Sequence, residues 1–222
     1  MTEKVGKTMK EESLDSLRVH YSKGELLENH AGSDPFALFN LWMNEARNSE
    51  IKEPNAMILS TLRDGRPTAR VLLLKGLDER GFVFFTNYLS HKGEDLKASP
   101  AASITFFWDH LERQVRIEGI VEKVSEKEST LYFHSRPRAS QIGAWVSNQS
   151  AIIESREILE EKNKRLNEKF ANTEVIPKPP YWGGYLLRPD SIEFWQGRPS
   201  RLHDRLLFTK TVDGWKRERL SP

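Results

Sequence analysis

The chain has 222 residues, of which 37% are hydrophobic and 30% are charged, a composition typical of a globular protein with one domain or at most two small ones. Its 34 basic and 32 acidic residues leave a formal charge of +2, which argues against a nucleic-acid partner because such proteins carry a basic excess or stripe. The absence of cysteine excludes disulfides, thiolate metal sites and cysteine nucleophiles.

The N-terminal stretch MTEKVGKTMKEES is polar and charged, which predicts a disordered tail over residues 1–13 and argues against a secretion signal. No apolar run of the sequence has membrane-spanning length. We therefore expect a cytoplasmic protein without a membrane partner, in which residues 14–222 form a single domain.

Two helices are expected before the first strand, a short one over residues 14–22 and a longer one over residues 33–50. In the longer helix, Asp34 is placed to cap the N-terminus and Pro35 suits the first turn. Apolar residues recur at helical spacing and indicate core packing; they are Phe36, Phe39, Trp42, Met43 and Ala46.

From Ala56 onwards the pattern changes to strands. AMILSTL and PTARVLLLK flank a hairpin turn at Asp64-Gly65, and GFVFFTN follows the turn LDERG. A helix is expected over HKGEDLKAS, and then a strand pair, AASITFFW and RQVRIEGIVEKV. In the last of these, polar and apolar residues alternate, which predicts one solvated and one buried face.

The remaining chain is expected to hold helices over EKESTLYFHS and SAIIESREILEEKNKRLNEKF, a Pro-rich connection, and three more strands. The strands are YLLRPDSIEFWQG, RLLFTKT and GWKRERL, the last two joined at Asp213-Gly214. Six or more strands joined mostly by hairpins predict a mainly β protein with peripheral helices (α+β), built on an antiparallel sheet or barrel.

A first candidate site is RLHDR, residues 201–205. If this segment is extended, Arg201, His203 and Arg205 share one side and would repel one another unless an anion lies among them. The alternative is a solvated surface strand. The flanking Trp195 and the apolar residues after Arg205 favour a site.

Two further clusters combine cations with apolar or aromatic residues. Arg70 and Lys75 bracket an apolar run, although each charge could simply end the strand in solvent. In YFHSRPRASQIGAWVSNQS, Tyr132 and Arg136 stand one helical turn apart, with Ser140 beyond if Pro137 only kinks the path. An aromatic ring, a guanidinium and a hydroxyl on one ridge suit the phosphate of a flat ring compound. The alternative is a helix end with a basic turn.

Other kinds of site are not supported by the sequence. The histidines show no paired zinc-ligand spacing, and there is no G-x-G-x-x-G, Walker loop or G-x-S-x-G elbow. We therefore expect no metal site.

Together, RVLLLK, FFTN, ERQVRIEG, YFHSRPRASQIGAWVSNQS, FWQG and RLHDR, in this order and spacing, resemble the pyridoxine 5′-phosphate oxidase family over nearly the whole chain. The resemblance implies the antiparallel split β-barrel that binds FMN. It also implies a homodimer with FMN sites at the subunit interface. The implied reaction oxidises pyridoxine 5′-phosphate or pyridoxamine 5′-phosphate to pyridoxal 5′-phosphate, with O₂ as acceptor and hydrogen peroxide as product.

The resemblance also implies which residues form the site. Those matching FMN contacts are Arg70, Val71, Leu72, Leu73, Phe85, Thr86, His91, Lys92, Gln114, Gln149, Ser150, Trp195 and Arg205, with Gln149 and Ser150 reaching FMN from the partner subunit. The family often has Arg-Lys where this chain has His91-Lys92, and a histidine binds phosphate more weakly and with a dependence on pH.

Residues matching the substrate site fall into three groups. Those that would hold the phosphate are Lys75, Tyr132, Arg136 and Ser140. Those over the reacting ring are Arg201, Leu202 and His203, of which Arg201 and His203 are the catalytic candidates. Arg201 would steady charge as hydride leaves, and His203 is the more natural proton acceptor. Residues that would fold over the site as a lid are Arg18, Val19, His20 and Tyr21.

Three alternatives remain at this point: a flavin-binding module without turnover, a flavin reductase on the same fold, and a pyridoxal-phosphate carrier without flavin. The first would retain Arg70, Thr86 and Gln114 but have no use for the substrate residues. The second would need room for a nicotinamide and gives no reason for RLHDR. Bound flavin would separate the third from the others.

Overall fold

Helices and strands occur in blocks along the described chain. The computed structural model describes residues 13, 14, 17 and 20–222. The helices are α1 (Glu28–Ala31), α2 (Pro35–Arg47), α3 (His91–Ala98), α4 (Glu126–Ser135), α5 (Arg138–Val146) and α6 (Glu157–Phe170). The strands are β1 (Ala56–Arg63), β2 (Arg66–Leu73), β3 (Gly76–Asp78), β4 (Gly81–Asn87), β5 (Ala101–Trp108), β6 (Arg113–Lys123), β7 (Trp182–Gln196), β8 (Asp204–Thr211) and β9 (Gly214–Leu220).

Antiparallel pairing joins the strands into one nine-stranded sheet in the described part of the chain, with the order β2-β1-β5-β6-β7-β4-β3. The long strand β7 is the centre of this arrangement. Its first half pairs with β4 and its second half with β8, which in turn pairs with β9, while β6 runs along its other side. The result confirms the expected mainly β, α+β fold, with the sheet open as in a split barrel.

A register shift interrupts the β6–β7 pairing between Glu118 and Gly119. A Cβ atom at Gly119 would lie 2.0 Å from the carbonyl oxygen of Arg188, so only glycine permits the backbones to approach this closely. The bulge lets β7 leave one half of the sheet and continue into the other.

Helix α2 covers the inner face of the sheet. Asp34 caps the helix by accepting a hydrogen bond from the backbone N–H of Phe36, as expected. Phe39 is fully buried, and its ring lies 5.0 Å from that of Phe82 and 5.1 Å from that of Phe106. Trp42 packs edge-on against Phe194 at 5.2 Å. These contacts confirm the expected core stripe. Burying each such side chain contributes about 1.5–3 kcal/mol to the stability of the fold.

A second apolar cluster joins α4, α5 and α6 to the start of β7. The expected continuous ridge through Pro137 is wrong, because α4 ends at Ser135 and Pro137 occupies the N-cap position of the separate helix α5. Proline favours a helix start since it has no backbone N–H to satisfy. Arg136 therefore lies in the connection, where its backbone is extended.

The expected helix over residues 150–170 begins only at Glu157. Ser150 has a φ of 75°, a left-handed conformation that does not start a right-handed helix. Ile152 is fully exposed, so apolar spacing in this segment does not reflect packing. The expected helix over residues 14–22 lies partly outside the described residues, and residues 20–22 are not helical.

Only Asp204 and Arg205 of the segment RLHDR lie in a strand, which corrects the alternation expected for Arg201, His203 and Arg205. Residues Pro199–Arg201 form a short 3-10 turn and β8 begins only at Asp204. Ser200 and Arg201 have φ values of 57° and 62°. Such left-handed conformations are costly for residues other than glycine and turn the chain sharply, so period-two alternation does not apply here.

Among the described residues, the helices are too short or too polar to cross a bilayer.

Candidate functional site

A cavity of about 520 Å³ opens between the end of β2, strand β4 and helices α4 and α5; we call it the β2–α5 pocket. Its lining includes all four residues expected at the substrate phosphate, and part of the set expected at the flavin. They are Val71, Leu72, Leu73, Lys75, Phe85, Thr86, Tyr132, Arg136, Ser140 and Gln149, together with Asn87 and Trp182.

Arg136 is the most unusual group in the β2–α5 pocket. Its Nη1 atom is buried and has no hydrogen-bond partner among the described residues, and its guanidinium lies 4.6 Å from the centroid of the Trp182 ring. Burial lowers the pKa of this guanidinium. A buried donor without a partner costs about 1–3 kcal/mol, a cost that a bound anion would remove.

A stack of flat rings forms one wall of the same pocket. The rings of Phe85 and Tyr132 lie 3.9 Å apart and nearly parallel, and Trp182 continues the stack 5.6 Å from Phe85. Burial raises the pKa of Tyr132, so its hydroxyl stays protonated and can donate a hydrogen bond. The pocket thus combines a planar aromatic wall with hydrogen-bond donors and cations.

A second cavity, of about 380 Å³, lies beside α3 and shares Val71, Leu72 and Gln149 with the first; we call it the α3 pocket. It is strongly cationic, since its lining includes Arg63, Arg70, His91 and Lys92, together with Ser150. The polar groups that line this pocket and the N-terminus of α3 suit an anion, in addition to the one that Arg136 would bind in the β2–α5 pocket.

Lys92 is nearly buried in the α3 pocket. Burial, with a further contribution from the charge of Arg70, lowers the pKa of its ammonium group to about 8. Its Nζ lies 3.0 Å from Oε1 of Gln149 and 3.2 Å from Oγ of Ser90, both neutral partners. The positive charge of Lys92 is therefore only partly compensated inside the protein.

Asp95 holds the arginines of the α3 pocket in place. Its buried carboxylate accepts hydrogen bonds from Arg63 Nε at 2.8 Å and from Thr61 Oγ1 at 2.8 Å, and lies 3.5 Å from Arg70 Nη2. Arg70 also donates to the carbonyl oxygen of Leu59. Burial lowers the pKa of Arg70. Sequence reasoning missed Asp95 and Arg63, because strand β1 and helix α3 meet only in the fold.

Gln149 and Ser150 contact residues of their own chain. Oε1 of Gln149 accepts a hydrogen bond from Thr86 at 3.2 Å as well as the one from Lys92. The backbone N–H of His91 donates to Oγ of Ser150 at 3.2 Å. This differs from the expectation that the pair reaches the site from a partner subunit. The His91 side chain is exposed and lines the α3 pocket.

A third cavity, of about 610 Å³, lies at the far end of β7; we call it the Trp195 pocket. Its lining includes both expected catalytic residues, Arg201 and His203, and two residues of the expected lid, His20 and Tyr21. The other lining residues are Leu17, Trp195, Arg198 and Ser200. Leu202 is exposed next to it. Of the expected lid, Arg18 and Val19 lie outside the described residues.

Aromatic contacts define the Trp195 pocket. The His203 ring lies 4.7 Å from Trp195 and 5.6 Å from Tyr21, which meets Trp195 edge-on at 5.7 Å. His203 Nδ1 accepts a hydrogen bond of 3.1 Å from the backbone N–H of Arg198. Arg198 was not expected in the site, and its position depends on a turn that the sequence pattern did not predict.

Two carboxylates fasten the segment of residues 20–26 over this pocket. Glu112 Oε2 accepts hydrogen bonds from the backbone N–H groups of Ser22 and Lys23 at 2.8 and 2.9 Å. Asp204 Oδ2 accepts one from Leu26 at 3.1 Å. Asp204 Oδ1 pairs with Arg219 at 2.8 Å. The role of Asp204, which the sequence left open, is therefore to anchor this segment.

Gln114, Trp195 and Arg205 lie in one row across the sheet. Gln114 of β6 is the register partner of Trp195 of β7, and Trp195 is the partner of Arg205 of β8. Paired residues point to the same face of a sheet, here the face opposite the core. Arg205 Nε donates to Glu193 at 2.8 Å.

The expected site residues thus form two groups. Lys75, Tyr132, Arg136 and Ser140 line the β2–α5 pocket, whereas Arg201 and His203 line the Trp195 pocket. Trp182 at the start of β7 belongs to the first group and Trp195 near its end to the second. A strand rises about 3.3 Å per residue, so most of the length of β7 separates the two groups within one chain.

Comparisons with known proteins identify the family of this chain. A family model described as pyridoxamine 5′-phosphate oxidase matches residues 43–170, and one described as the pyridoxine 5′-phosphate oxidase C-terminal dimerisation region matches residues 182–222. A pyridoxine/pyridoxamine 5′-phosphate oxidase of Burkholderia cenocepacia is 56% identical over 95% of this chain and 99% of that protein. A relative of the same name from Burkholderia multivorans is 55% identical over the same shares.

Two solved structures share the fold. PhzG from Burkholderia lata, in complex with tetrahydrophenazine-1-carboxylic acid, has a TM-score of 0.83 and 30% identity, covering 90% of this chain and all of that one. A pyridoxamine 5′-phosphate oxidase-related, FMN-binding protein from Nostoc punctiforme has a TM-score of 0.69 and 18% identity, covering 86% of this chain and all of that one. By family models and relatives alike, the chain belongs to the pyridoxine/pyridoxamine 5′-phosphate oxidase family.

Proposed function

We propose that the protein is an FMN-dependent oxidase that converts pyridoxine 5′-phosphate and pyridoxamine 5′-phosphate to pyridoxal 5′-phosphate. With the alcohol, O₂ is reduced to hydrogen peroxide as the aldehyde forms. With the amine, one water is also consumed and ammonia is released. The observation that carries the proposal is the buried Nη1 of Arg136, which lacks a partner within the described part of the chain and lies beside an aromatic wall, next to a second cationic pocket.

FMN fits the α3 pocket together with the apolar strip of Val71 and Leu72, which this pocket shares with the β2–α5 pocket. Its phosphate would be held by Arg70 and Lys92, with Ser150 as a hydroxyl donor. The apolar side chains of Val71 and Leu72 line both pockets and suit a flat ring system. When bound, FMN takes up a hydride equivalent from the substrate and passes the electrons to O₂.

The substrate phosphate is assigned to the other cationic centre. Arg136 and Lys75 provide positive charge, and Tyr132 and Ser140 provide hydroxyl donors. Fixing the phosphate through these groups uses binding energy remote from the reacting carbon to orient the pyridine ring. Arg201 and His203 then contact the ring from the opposite side, where Arg201 steadies developing charge.

The two groups of residues lie in different pockets of one chain, and a second copy of the chain supplies the missing group. We therefore propose a homodimer in which Gln114, Trp195, Arg201, His203 and Arg205 of one subunit complete the pocket of the other. The exposed side chains of Ile58, Val71 and Phe107 support this proposal. They lie on the same outer face of the sheet as Gln114, as their pairings show. The match of residues 182–222 to a family model described as a dimerisation region also supports a homodimer.

The relative PhzG suggests a different substrate, since it was solved with tetrahydrophenazine-1-carboxylic acid. That ligand is a carboxylate without a phosphate. The β2–α5 pocket holds four side chains suited to binding a phosphate, which favours a phosphorylated substrate instead. The same groups argue against a flavin-binding module without turnover, which would have no use for them.

Comparing phosphorylated and unphosphorylated substrates tests the proposed function. Purified protein with FMN is given pyridoxine 5′-phosphate, pyridoxamine 5′-phosphate, unphosphorylated pyridoxine or tetrahydrophenazine-1-carboxylic acid, and hydrogen peroxide is measured. We expect peroxide and pyridoxal 5′-phosphate with the two phosphates, and at least about a hundredfold lower kcat/KM with pyridoxine, because two charge-assisted hydrogen bonds are lost. Oxidation of the phenazine acid alone would overturn the proposal.

A further inference from the structure

The hydrogen bond between the backbone of Arg198 and the ring of His203 determines which ring nitrogen carries the proton. The N–H of Arg198 donates to Nδ1 over 3.1 Å. In a neutral imidazole one nitrogen is a donor and the other an acceptor. Since Nδ1 accepts from Arg198, the neutral ring carries its proton on Nε2.

The surroundings of His203 hold the ring in this orientation. Trp195 packs at 4.7 Å and Tyr21 at 5.6 Å, and the turn that bears Arg198 is itself fixed. Arg198 Nη1 donates to the carbonyl oxygen of Gly24 at 3.0 Å, and its Nε lies 3.5 Å from Asp204. Nδ1 is already occupied, and Nε2 has no hydrogen-bond partner among the described residues, so Nε2 is the ring nitrogen available to a molecule in the Trp195 pocket.

We propose that His203 acts as a hydrogen-bond donor through Nε2–H, and that Arg198 is the positioning residue that imposes this form through its backbone. This inference rests on the proposed function for the identity of the ligand. In this role His203 binds an oxygen with a free lone pair on the substituted pyridine ring. It does not take up the proton that the substrate loses, which differs from the role expected from the sequence.

Nuclear magnetic resonance of the histidine rings tests the tautomer directly in the FMN-loaded protein. With ¹⁵N-labelled histidine, we expect the His203 Nε2 signal at a protonated, pyrrole-type position and the Nδ1 signal at an unprotonated, pyridine-type position. The signals are assigned by their loss in His203→Asn. His134 serves as an internal reference, since its Nε2 lies 3.1 Å from the carbonyl oxygen of Ile176 and therefore carries a proton. Protonation of His203 at Nδ1 instead of Nε2 would overturn the proposal.

Two substitutions then separate a donor from a proton acceptor. In His203→Gln an amide N–H₂ can occupy the position of Nε2, whereas in His203→Asn the amide oxygen can replace only Nδ1. For a donor, we expect His203→Gln to retain turnover within about threefold and His203→Asn to lose at least about tenfold, the value of one hydrogen bond. Equal, large losses in both variants, with FMN still bound, would contradict the donor role.

The same spectra keep this inference separate from the proposed function. On addition of pyridoxal 5′-phosphate, we expect the Nε2–H proton of His203 to shift downfield as it engages an acceptor. Binding of pyridoxal 5′-phosphate without any change at Nε2 would overturn the donor role. If the protein neither binds nor turns over the phosphorylated pyridines, the proposed function fails, while the tautomer of His203 is still decided by its nitrogen shifts.

Discussion

Trp182 and Trp195 lie at opposite ends of the same strand, β7, and each lines a different pocket. Arg136 packs against Trp182, and His203 against Trp195. One strand therefore connects the two groups of functional residues and keeps them apart. A site that needs both groups has to be assembled from two chains.

Mixing two inactive variants tests this assembly. Arg136→Ala and Arg201→Ala are each expected to be nearly inactive, because each dimer lacks one residue at both sites. When the two are co-expressed, about half of the dimers are mixed, and each mixed dimer has one intact site, so about a quarter of the wild-type activity should return. Activity is measured as peroxide production per dimer.

Co-expression of Arg136→Ala with Lys75→Met is the matched control. Both residues line the β2–α5 pocket, so every site of a mixed dimer stays defective and no activity should return. Recovery in this control, or none in the first pair, would show that the two pockets do not complete one another across subunits.

Arg70 and Arg201 should separate flavin binding from turnover. Arg70→Ala removes the charge-assisted contact that we propose to the FMN phosphate, worth about 1.5–3 kcal/mol, and should raise the FMN Kd at least about tenfold. Arg201→Ala should leave FMN affinity within about twofold and lower kcat at least about tenfold. FMN fluorescence titration and steady-state kinetics give the two quantities. Loss of FMN from Arg201→Ala would place this residue at the cofactor instead.

Asp95 should affect flavin binding although it is not one of the lining residues of the β2–α5 pocket or the α3 pocket. Asp95→Asn removes the buried carboxylate that Arg63 and Arg70 share, so both guanidinium groups lose their counter-charge. We expect a lower melting temperature and weaker FMN binding. Thermal unfolding followed by circular dichroism and FMN titration below the transition measure the two effects.

Asp64→Asn is the control for Asp95→Asn. It makes the same change of charge at an exposed position of the β1–β2 turn, where asparagine suits the left-handed backbone. Its melting temperature and FMN affinity should match those of the wild type. Equal behaviour of the two variants would mean that Asp95 does not position the arginines.

Lys92 should make FMN affinity fall in alkaline solution. Burial and Arg70 lower the pKa of its ammonium group to about 8, and an adjacent phosphate would raise it again because an opposite charge favours the charged form. Binding above pH 8 then requires proton uptake, so affinity decreases as the pH rises beyond that value. Below pH 8 the residue is already charged and makes no such contribution.

FMN titrations between pH 7 and 10 measure this dependence. Lys92→Arg should flatten the alkaline decrease, because a guanidinium stays charged throughout the range. Lys92→Met should bind FMN weakly and show the same flattening. An unchanged profile in both variants would assign the decrease to another group.

The sequence predicted most of the fold because alternation and turn chemistry are local. The hairpin at Asp64-Gly65 and the strand pair β5–β6 follow from a few adjacent residues and are confirmed. Three boundaries failed where a single backbone conformation decided the path. Pro137 starts a helix instead of kinking one, and Ser150 and Arg201 adopt left-handed conformations.

The site could be predicted only as a set of residue types. The cations of RVLLLK and of the segment around Arg136 indicated anion binding without showing that two adjacent pockets share one apolar strip. Asp95 gave no signal, because a charged residue on a short helix is usually exposed. The hydrogen bond to His203 arises from a turn that periodicity did not predict.

An absorbance spectrum taken without oxygen shows whether the phosphorylated substrate reduces flavin bound to this protein. The FMN-loaded protein is recorded before and after addition of pyridoxine 5′-phosphate, then again after admission of air. We expect the visible flavin bands to bleach with the substrate and return with air, while hydrogen peroxide and pyridoxal 5′-phosphate form. Flavin bands that stay unchanged with both pyridoxine and pyridoxamine phosphates, or protein that does not bind FMN, would contradict it.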